Sequence, residues 1–216
     1  LDIKTTYRCN NLCQLCCQNR DLRQSNSDMT FNEAAEIIKK EIVLGVDKIV
    51  LTGGEPLLNK DILKIISYAH DMSITTIQLQ TNGRLLKDKS FLDDVIKAGV
   101  NEFGISLYGH TANIHEKFSN TESYFDVITA LENIKDHSCN TVINCVITKS
   151  NYEYLVQMAN FVKENEYANV LQFAYLHTIG NAESQFDRTI SLSEASEKIK
   201  NVIYSCMDSS IKILTE

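Results

Sequence analysis

The sequence predicts an α/β protein built on a parallel sheet, and three observations carry the prediction. Short apolar runs alternate with amphipathic helical stretches along the whole chain. Successive strands are separated by helix-length connections rather than hairpin turns, as parallel crossovers require. Gly, Cys, Asn and Ser gather just after the strand ends, the carboxyl edge where parallel α/β folds place their sites. At 216 residues with 44% hydrophobic content, the chain can bury one good-sized core, and no linker or low-complexity stretch divides it. Residues 1–216 are therefore expected to form a single domain.

The elements follow in order. "IKTT" (residues 3–6) reads as a first short strand leading into a cysteine-rich loop. A helix opens at Thr30, where Glu33 three residues on completes a capping box, and it closes at Gly45. "DKIVLT" (47–52) is a short buried strand. The cycle repeats through helix 60–71 and strand 74–80, helix 90–99 and strand 102–107, helix 123–137 and strand 141–147, helix 151–165 and strand 169–175. A last helix covers residues 192–208, so six strands alternate with six helices. This pattern allows an open doubly wound sheet or a curved, barrel-like one.

Composition excludes some roles. A formal charge of −7 argues against a nucleic-acid partner or an anionic membrane surface. No apolar run approaches the roughly 18–20 residues that span a bilayer, so a soluble protein is expected. Because the first residue is Leu1, a preceding segment that includes a targeting signal stays open. Seven cysteines in a chain of this size do not resemble a secreted disulfide framework and point to a reducing, cytoplasmic setting. Cys139, Cys145 and Cys206 lie among apolar neighbours and read as small buried hydrophobes.

The other four cysteines fall in nine residues, "CNNLCQLCC". Cys9, Cys13 and Cys16, spaced C-x3-C-x2-C, can converge on one iron–sulfur cluster or one soft metal ion. Zinc ordinarily takes a fourth ligand from a second C-x2-C pair, and this chain has none. Cys17 points away from its neighbour in an extended loop and reads as a bystander. A rival reading makes it the fourth ligand of a coordinatively complete, non-catalytic iron–sulfur or metal-binding module.

"CNNLCQLC", with apolar Leu15 before the third cysteine, resembles the signature of the radical S-adenosylmethionine enzymes. The resemblance implies that Cys9, Cys13 and Cys16 bind three irons of a 4Fe-4S cluster, leaving the fourth iron for S-adenosylmethionine. Reductive cleavage of that molecule then gives a 5′-deoxyadenosyl radical that abstracts hydrogen from substrate. "TGGEP" after the second strand is similar to the family's second motif and assigns Gly53, Gly54, Glu55 and Pro56 to S-adenosylmethionine; a Gly-Gly turn into a Pro-started helix is the plainer reading. "LQTNG" places Gln80 or Asn82 toward the cofactor, or Asn82-Gly83 as a simple turn. "ISLYGHTANIHEKF" resembles the segment whose serine contacts the methionine carboxylate or ribose, a role that maps to Ser106. His110 and His115 there are candidate acid/base groups or, more plainly, solvated histidines. Asn151 in "VITKSN" is a cofactor contact or a helix cap. Leu176 and His177 in "FAYLHTIGNA" approach the adenine or line substrate.

The resemblance runs nearly end to end and implies a partial (β/α)6 TIM-like barrel, open on one side. Its site motifs identify the engine, not the product. The stretch around "ISLYGHTANIHEKF" looks most like the peptide-modifying and cofactor-biosynthesis maturases, so a peptide or peptide-derived substrate is expected, with a flavodoxin- or ferredoxin-type electron donor. A small-molecule cyclase of the molybdenum-cofactor type is the alternative, although no second cysteine cluster is visible. Only Cys206 lies near the end; either auxiliary clusters are absent, or the 216 residues are the core of a longer chain.

Overall fold

The computed structural model describes residues 1–18, 27–177, 179–180, 182–183 and 188–215. Its sheet has seven strands, all parallel and in sequential order: β1 (Asp2–Lys4), β2 (Lys48–Thr52), β3 (Thr76–Thr81), β4 (Glu102–Ser106), β5 (Asn140–Ile147), β6 (Val170–Tyr175) and β7 (Lys212–Thr215). Strands β1 and β7 are the two edges, so the barrel stays unclosed. The helices are α1 (Phe31–Val43), α2 (Ile62–Asp71), α3 (Lys89–Ala98), α4 (Ala112–Ser119), α5 (Tyr124–Lys135), α6 (Leu155–Glu164) and α7 (Leu192–Cys206).

The local signals behave as their chemistry demands. Thr30 Oγ1 accepts from Glu33 N, and the Glu33 carboxylate accepts from Thr30 N at 2.8 Å, a reciprocal box that starts α1. Ser191 and Glu194 repeat it at α7. Caps of this kind contribute about 1 kcal/mol each. The six-strand expectation needs correction, because β7 follows α7. Its four residues are mostly exposed and carry no alternating pattern, so nothing local marked them as strand. Helix α4 is likewise a separate element inside a stretch read as a strand exit.

Alternation along the strands divides the sheet into two faces. Ile49 and Leu51, Ile77 and Leu79, Phe103 and Ile105, Ile143 and Cys145, Leu171 and Phe173 are essentially inaccessible and pack against the helices as one apolar cluster. The intervening residues turn to the opposite, inner face. Parallel sheets are ordinarily covered on both sides. Here the inner positions Val50, Thr52, Gln78, Gln80, Ser106, Asn144 and Gln172 are only partly buried or exposed.

Candidate functional site

The cysteine loop lies across the carboxyl edge of the sheet and is attached at both ends. Beyond β1 the ladder to β2 continues irregularly: Gly54 N donates to Thr6 O and Glu55 N to Arg8 O, both at 2.7 Å. A Cβ on Gly53 would stand 2.5 Å from Thr6 O, and one on Gly54 2.3 Å from Arg8 O. The two glycines thus press the β2 exit against the three residues that precede Cys9, an approach no side chain permits. Further along, Leu12 N and Gln14 N donate to the carbonyls of Ser119 and Phe118 at the end of α4, at 3.2 and 3.3 Å. Cys13 and Leu15 are buried with Phe118, Leu176 and Ala182 in a small satellite cluster, against which Cys16 and Tyr108 pack.

All seven cysteines carry thiols rather than disulfides. Asn11 N donates to Cys9 Sγ and Gln18 N to Cys16 Sγ, each at 3.4 Å, the kind of N–H···S contact that stabilises thiolate ligands. The Tyr108 ring stacks on Phe118 with centroids 3.8 Å apart. Burial pushes its phenol well above the ordinary value, and Cys13, Cys16 and Cys9 act in the same direction, while a hydrogen bond with Ser106 opposes them. Tyr108 thus bonds the candidate serine in the neighbourhood of the three thiols. Cys17 is exposed but does not turn from its neighbour as the sequence suggested: a hydrogen bond with Cys16 is the first cause that raises its pKa, and desolvation the second.

Glu55 is fully buried and turns away from the inner face. Its carboxylate accepts from Thr81 Oγ1 at 2.6 Å, Asn82 N at 2.8 Å and Leu57 N at 3.1 Å. Burial raises its pKa and these three bonds pull it down. Pro56, also buried, starts the short 3-10 turn Pro56–Leu58. Asn82 bonds to Asn10, inside the cysteine loop, at 2.7 Å. Ser106 ends β4 on the inner face, paired in register with Asn144. Gln80 is exposed on the same face, and a Cβ on Gly104 would stand 3.3 Å from Asn144 Nδ2 and 3.6 Å from Gln80 Cγ, so the glycine leaves a notch between two amides. Leu176 belongs to the satellite cluster, whereas His177 is exposed.

Asn151 is buried and makes no side-chain cap. Its Nδ2 donates to Val146 O at 2.8 Å and Tyr108 O at 3.0 Å, and its Oδ1 accepts from Thr148 N at 2.8 Å, which ties the exits of β4 and β5 together. His115 is not solvated. Only 1% exposed, it accepts from Tyr108 N at Nδ1 (3.3 Å) and pairs Nε2 with Ser123 Oγ (3.1 Å), and burial lowers its pKa to about 4. His110 is half-buried and lowered by the same cause.

Residues that the motifs did not announce complete the site. Arg84 Nη1 donates to Asn10 O at 2.6 Å and its Nε to Asp126 at 3.1 Å. Gln18 Nε2 donates to Gly53 O, while Gln18 Oε1 is buried without a hydrogen-bond partner among the described residues. The Asn10-Asn11 pair inside the cysteine spacing was the one available hint, since short polar side chains in a loop of thiols have to find partners.

The donor set fits a cluster better than a single ion. Among the described residues no three His, Cys, Asp or Glu side chains close to the spacing of one metal ion. Thiolates of a cluster bind different irons and do not require that convergence. The Gly53 carbonyl already takes an amide N–H, and Gln18 leaves a buried oxygen beside it, so the turn offers an acceptor of the kind that an amino group needs.

Known proteins agree with this geometry. The profile of the Radical SAM superfamily matches residues 3–162. The chain is 28% identical over 200 residues to a probable GTP 3′,8-cyclase of Sulfurisphaera tokodaii, covering 92% of this chain and 62% of that one. It is 29% identical over 209 residues to the GTP 3′,8-cyclase of Thermodesulfovibrio yellowstonii, covering 94% and 64%. The chain thus spans less than two thirds of the length of these relatives. In fold it is similar to Streptococcus suis SuiB bound to the precursor peptide SuiA (TM-score 0.84, 18% identity, 100% of this chain and 48% of that one). It is also similar to anSMEcpe with bound AdoMet (TM-score 0.78, 18% identity, 100% and 62%). Membership brings the cofactor pair of a 4Fe-4S cluster and S-adenosylmethionine. On its matched residues and its partial barrel, the chain belongs to the radical SAM superfamily of enzymes.

Proposed function

We propose that Cys9, Cys13 and Cys16 hold the cluster, and that the enzyme abstracts hydrogen from a peptide or peptide-derived substrate lying on the inner face. Bound there, the cluster supplies the electron for reductive cleavage of S-adenosylmethionine. The chain's own residues do the rest. Gly53 offers its carbonyl to the methionine amino group, with Gly54 pressed on the Cys9 segment and Glu55 and Pro56 fixing the turn. Ser106 and Asn82 flank the loop, and Leu15, Phe118 and Leu176 exclude water from one side of it. Gln80, Leu176 and His177 remain candidates for the nucleoside, and Asn151 for shaping the β4–β5 rim. A small flavodoxin- or ferredoxin-type protein in a reducing cytoplasm would deliver the electron.

One observation supports the substrate class. Among the inner-face positions of β2–β6, Lys48 is the sole cation, and its Nζ is tied to Glu102 Oε1 at 2.7 Å, where Gln78 also donates at 2.7 Å; Lys4 and Lys212 share that face on the edge strands β1 and β7. Gln78, Gln80, Asn144 and Gln172, with the hydroxyls of Thr52, Thr76 and Ser106, make the remaining polar surface of these five strands neutral, which complements peptide groups better than a triphosphate that calls for several Arg or Lys. The names of the curated relatives favour the second reading, cyclisation of GTP.

The two readings separate in one anaerobic assay with S-adenosylmethionine and dithionite. A pool of peptides deuterated at Cα should transfer deuterium into 5′-deoxyadenosine, and GTP should leave its yield at the substrate-free level. Stimulation by GTP alone would overturn the peptide reading. Absence of 5′-deoxyadenosine under every condition, with iron content unchanged in the Cys9, Cys13 and Cys16→Ala variants, would overturn the engine itself.

A further inference from the structure

The turn after β3 grips the first half of the cysteine loop with side chains outside every cysteine motif. Asn82 Nδ2 donates to Asn10 Oδ1 at 2.7 Å and reaches Cys9 Sγ at 3.8 Å, and Asn82 Oδ1 accepts from Arg84 N at 3.1 Å. Arg84 Nη1 donates to Asn10 O at 2.6 Å and to Asn11 Oδ1 at 3.4 Å. Its Nε donates to Asp126 of α5 at 3.1 Å, and the other oxygen of Asp126 accepts from Lys87 Nζ at 2.7 Å. The Arg84 and Asp126 side chains retain 21% and 20% exposure. A guanidinium so far withdrawn from water is costly unless it is paired and hydrogen-bonded, and Asp126 and Asn10 meet that need. The turn itself is fixed from below by Glu55, which accepts from Asn82 N, and by Gly83 at φ +80°, a backbone that other residues rarely adopt.

We infer that Asn82, Arg84 and Asp126 form a clamp that positions Cys9 for the cluster, with the Asn82 amide donating toward the Cys9 sulfur. All three are positioning residues. The inference rests on the reading of Cys9 as a ligand, but the clamp is a property of the metal-free chain and can be tested there. Cys16 is its internal control. It lies in the second half of the loop, which is held by α4, the satellite cluster and Gly53.

The first measurement is iodoacetamide alkylation of the metal-free protein, resolved by cysteine with mass spectrometry. Arg84→Ala should raise the Cys9 rate several-fold and leave Cys16 at its wild-type rate, with Arg84→Lys intermediate because lysine keeps the charge and loses the fork. Equal acceleration at both cysteines, or none at Cys9, would overturn the clamp. Should Arg84→Ala fail to fold, as judged by circular dichroism, Arg84→Lys and Asp126→Asn carry the same comparison. In the reconstituted protein, chelator extraction of iron should be about ten-fold faster in Arg84→Ala, the usual scale for loss of a partner behind a metal ligand. The midpoint potential of Asn82→Leu should move to more negative values, because an N–H donor to a cluster sulfur favours the reduced state. An unchanged midpoint would remove the Asn82 donor from the inference. If the cysteines bound no cluster, iron content would fail in wild type while the alkylation contrast persisted, so the two failures are distinguishable.

Discussion

The two halves of the cysteine loop are held by opposite physics. The first, Cys9 to Asn11, is gripped by polar groups, the Asn82 amide and the Arg84 guanidinium, and the residues leading into it are held by the ladder from Gly54 and Glu55. The second, from Cys13 onward, is seated in apolar contacts with Leu15, Phe118 and Leu176 and tied to the end of α4 by backbone bonds. Polar bonds fix direction, whereas apolar burial fixes depth and excludes water. On the proposed reading of Cys9, Cys13 and Cys16 as cluster ligands, the polar half would aim its sulfur and the apolar half would shield the cluster from solvent.

The contrast can be broken from either side. The largest effect is expected from Phe118→Ala, which removes the ring stacked on Tyr108 and should cost about 3–5 kcal/mol in denaturant unfolding. In surviving folded protein the alkylation of Cys13 should accelerate and that of Cys9 should not; an equal rise at Cys9 would mean that the halves are one unit.

Acidification comes next and strikes the apolar side through His115. Its folded pKa of about 4 lies below the ordinary 6.5, so between these values the unfolded chain binds the extra proton. Stability should therefore fall as pH drops from about 6.5 to 4 and level off below, by an amount on the order of 3 kcal/mol. His115→Gln, which keeps hydrogen-bonding capacity without titrating, should flatten that slope; a slope identical to wild type would assign the effect to other groups.

On the polar side, Gly54→Ala drives a Cβ into Arg8 O and should cost about 1–3 kcal/mol. It should loosen Cys9 selectively, the mirror image of Phe118→Ala. The smallest effect belongs to Lys87→Ala. Lys87 is half-exposed and shares Asp126 with Arg84, so thermal unfolding should register less than about 1 kcal/mol. A larger loss would show that Lys87 is a full member of the polar grip.

Much of this was legible in the sequence, and the limits are physical. Strand and helix alternation, the Thr30–Glu33 box and the C-x3-C-x2-C spacing depend on residues a few positions apart, and such rules act before the chain folds. What failed was local in the same sense: β7 is too short and too exposed to leave a period, and α4 hides behind a strand exit. Glu55 could be placed at the site by its motif, yet its direction could not. Whether that carboxylate enters the site or anchors a neighbouring strand depends on Thr81 and Asn82, 26 and 27 residues away. His115 was expected in solvent because a helical histidine with polar neighbours usually lies there; Ser123 and the aromatic stack bury it instead.

By itself, then, the sequence determined the α/β class, the carboxyl-edge placement of the thiols and the chemistry that three closely spaced cysteines support, because backbone propensity and short spacing are properties of contiguous residues. Only the tertiary structure decided which groups surround those thiols. Asn10 and Asn82 are 72 residues apart, and Leu12 and Thr121 are 109 apart. They meet because parallel register stacks every strand exit on one edge, and no local pattern encodes which side chains that stacking brings within 3 Å.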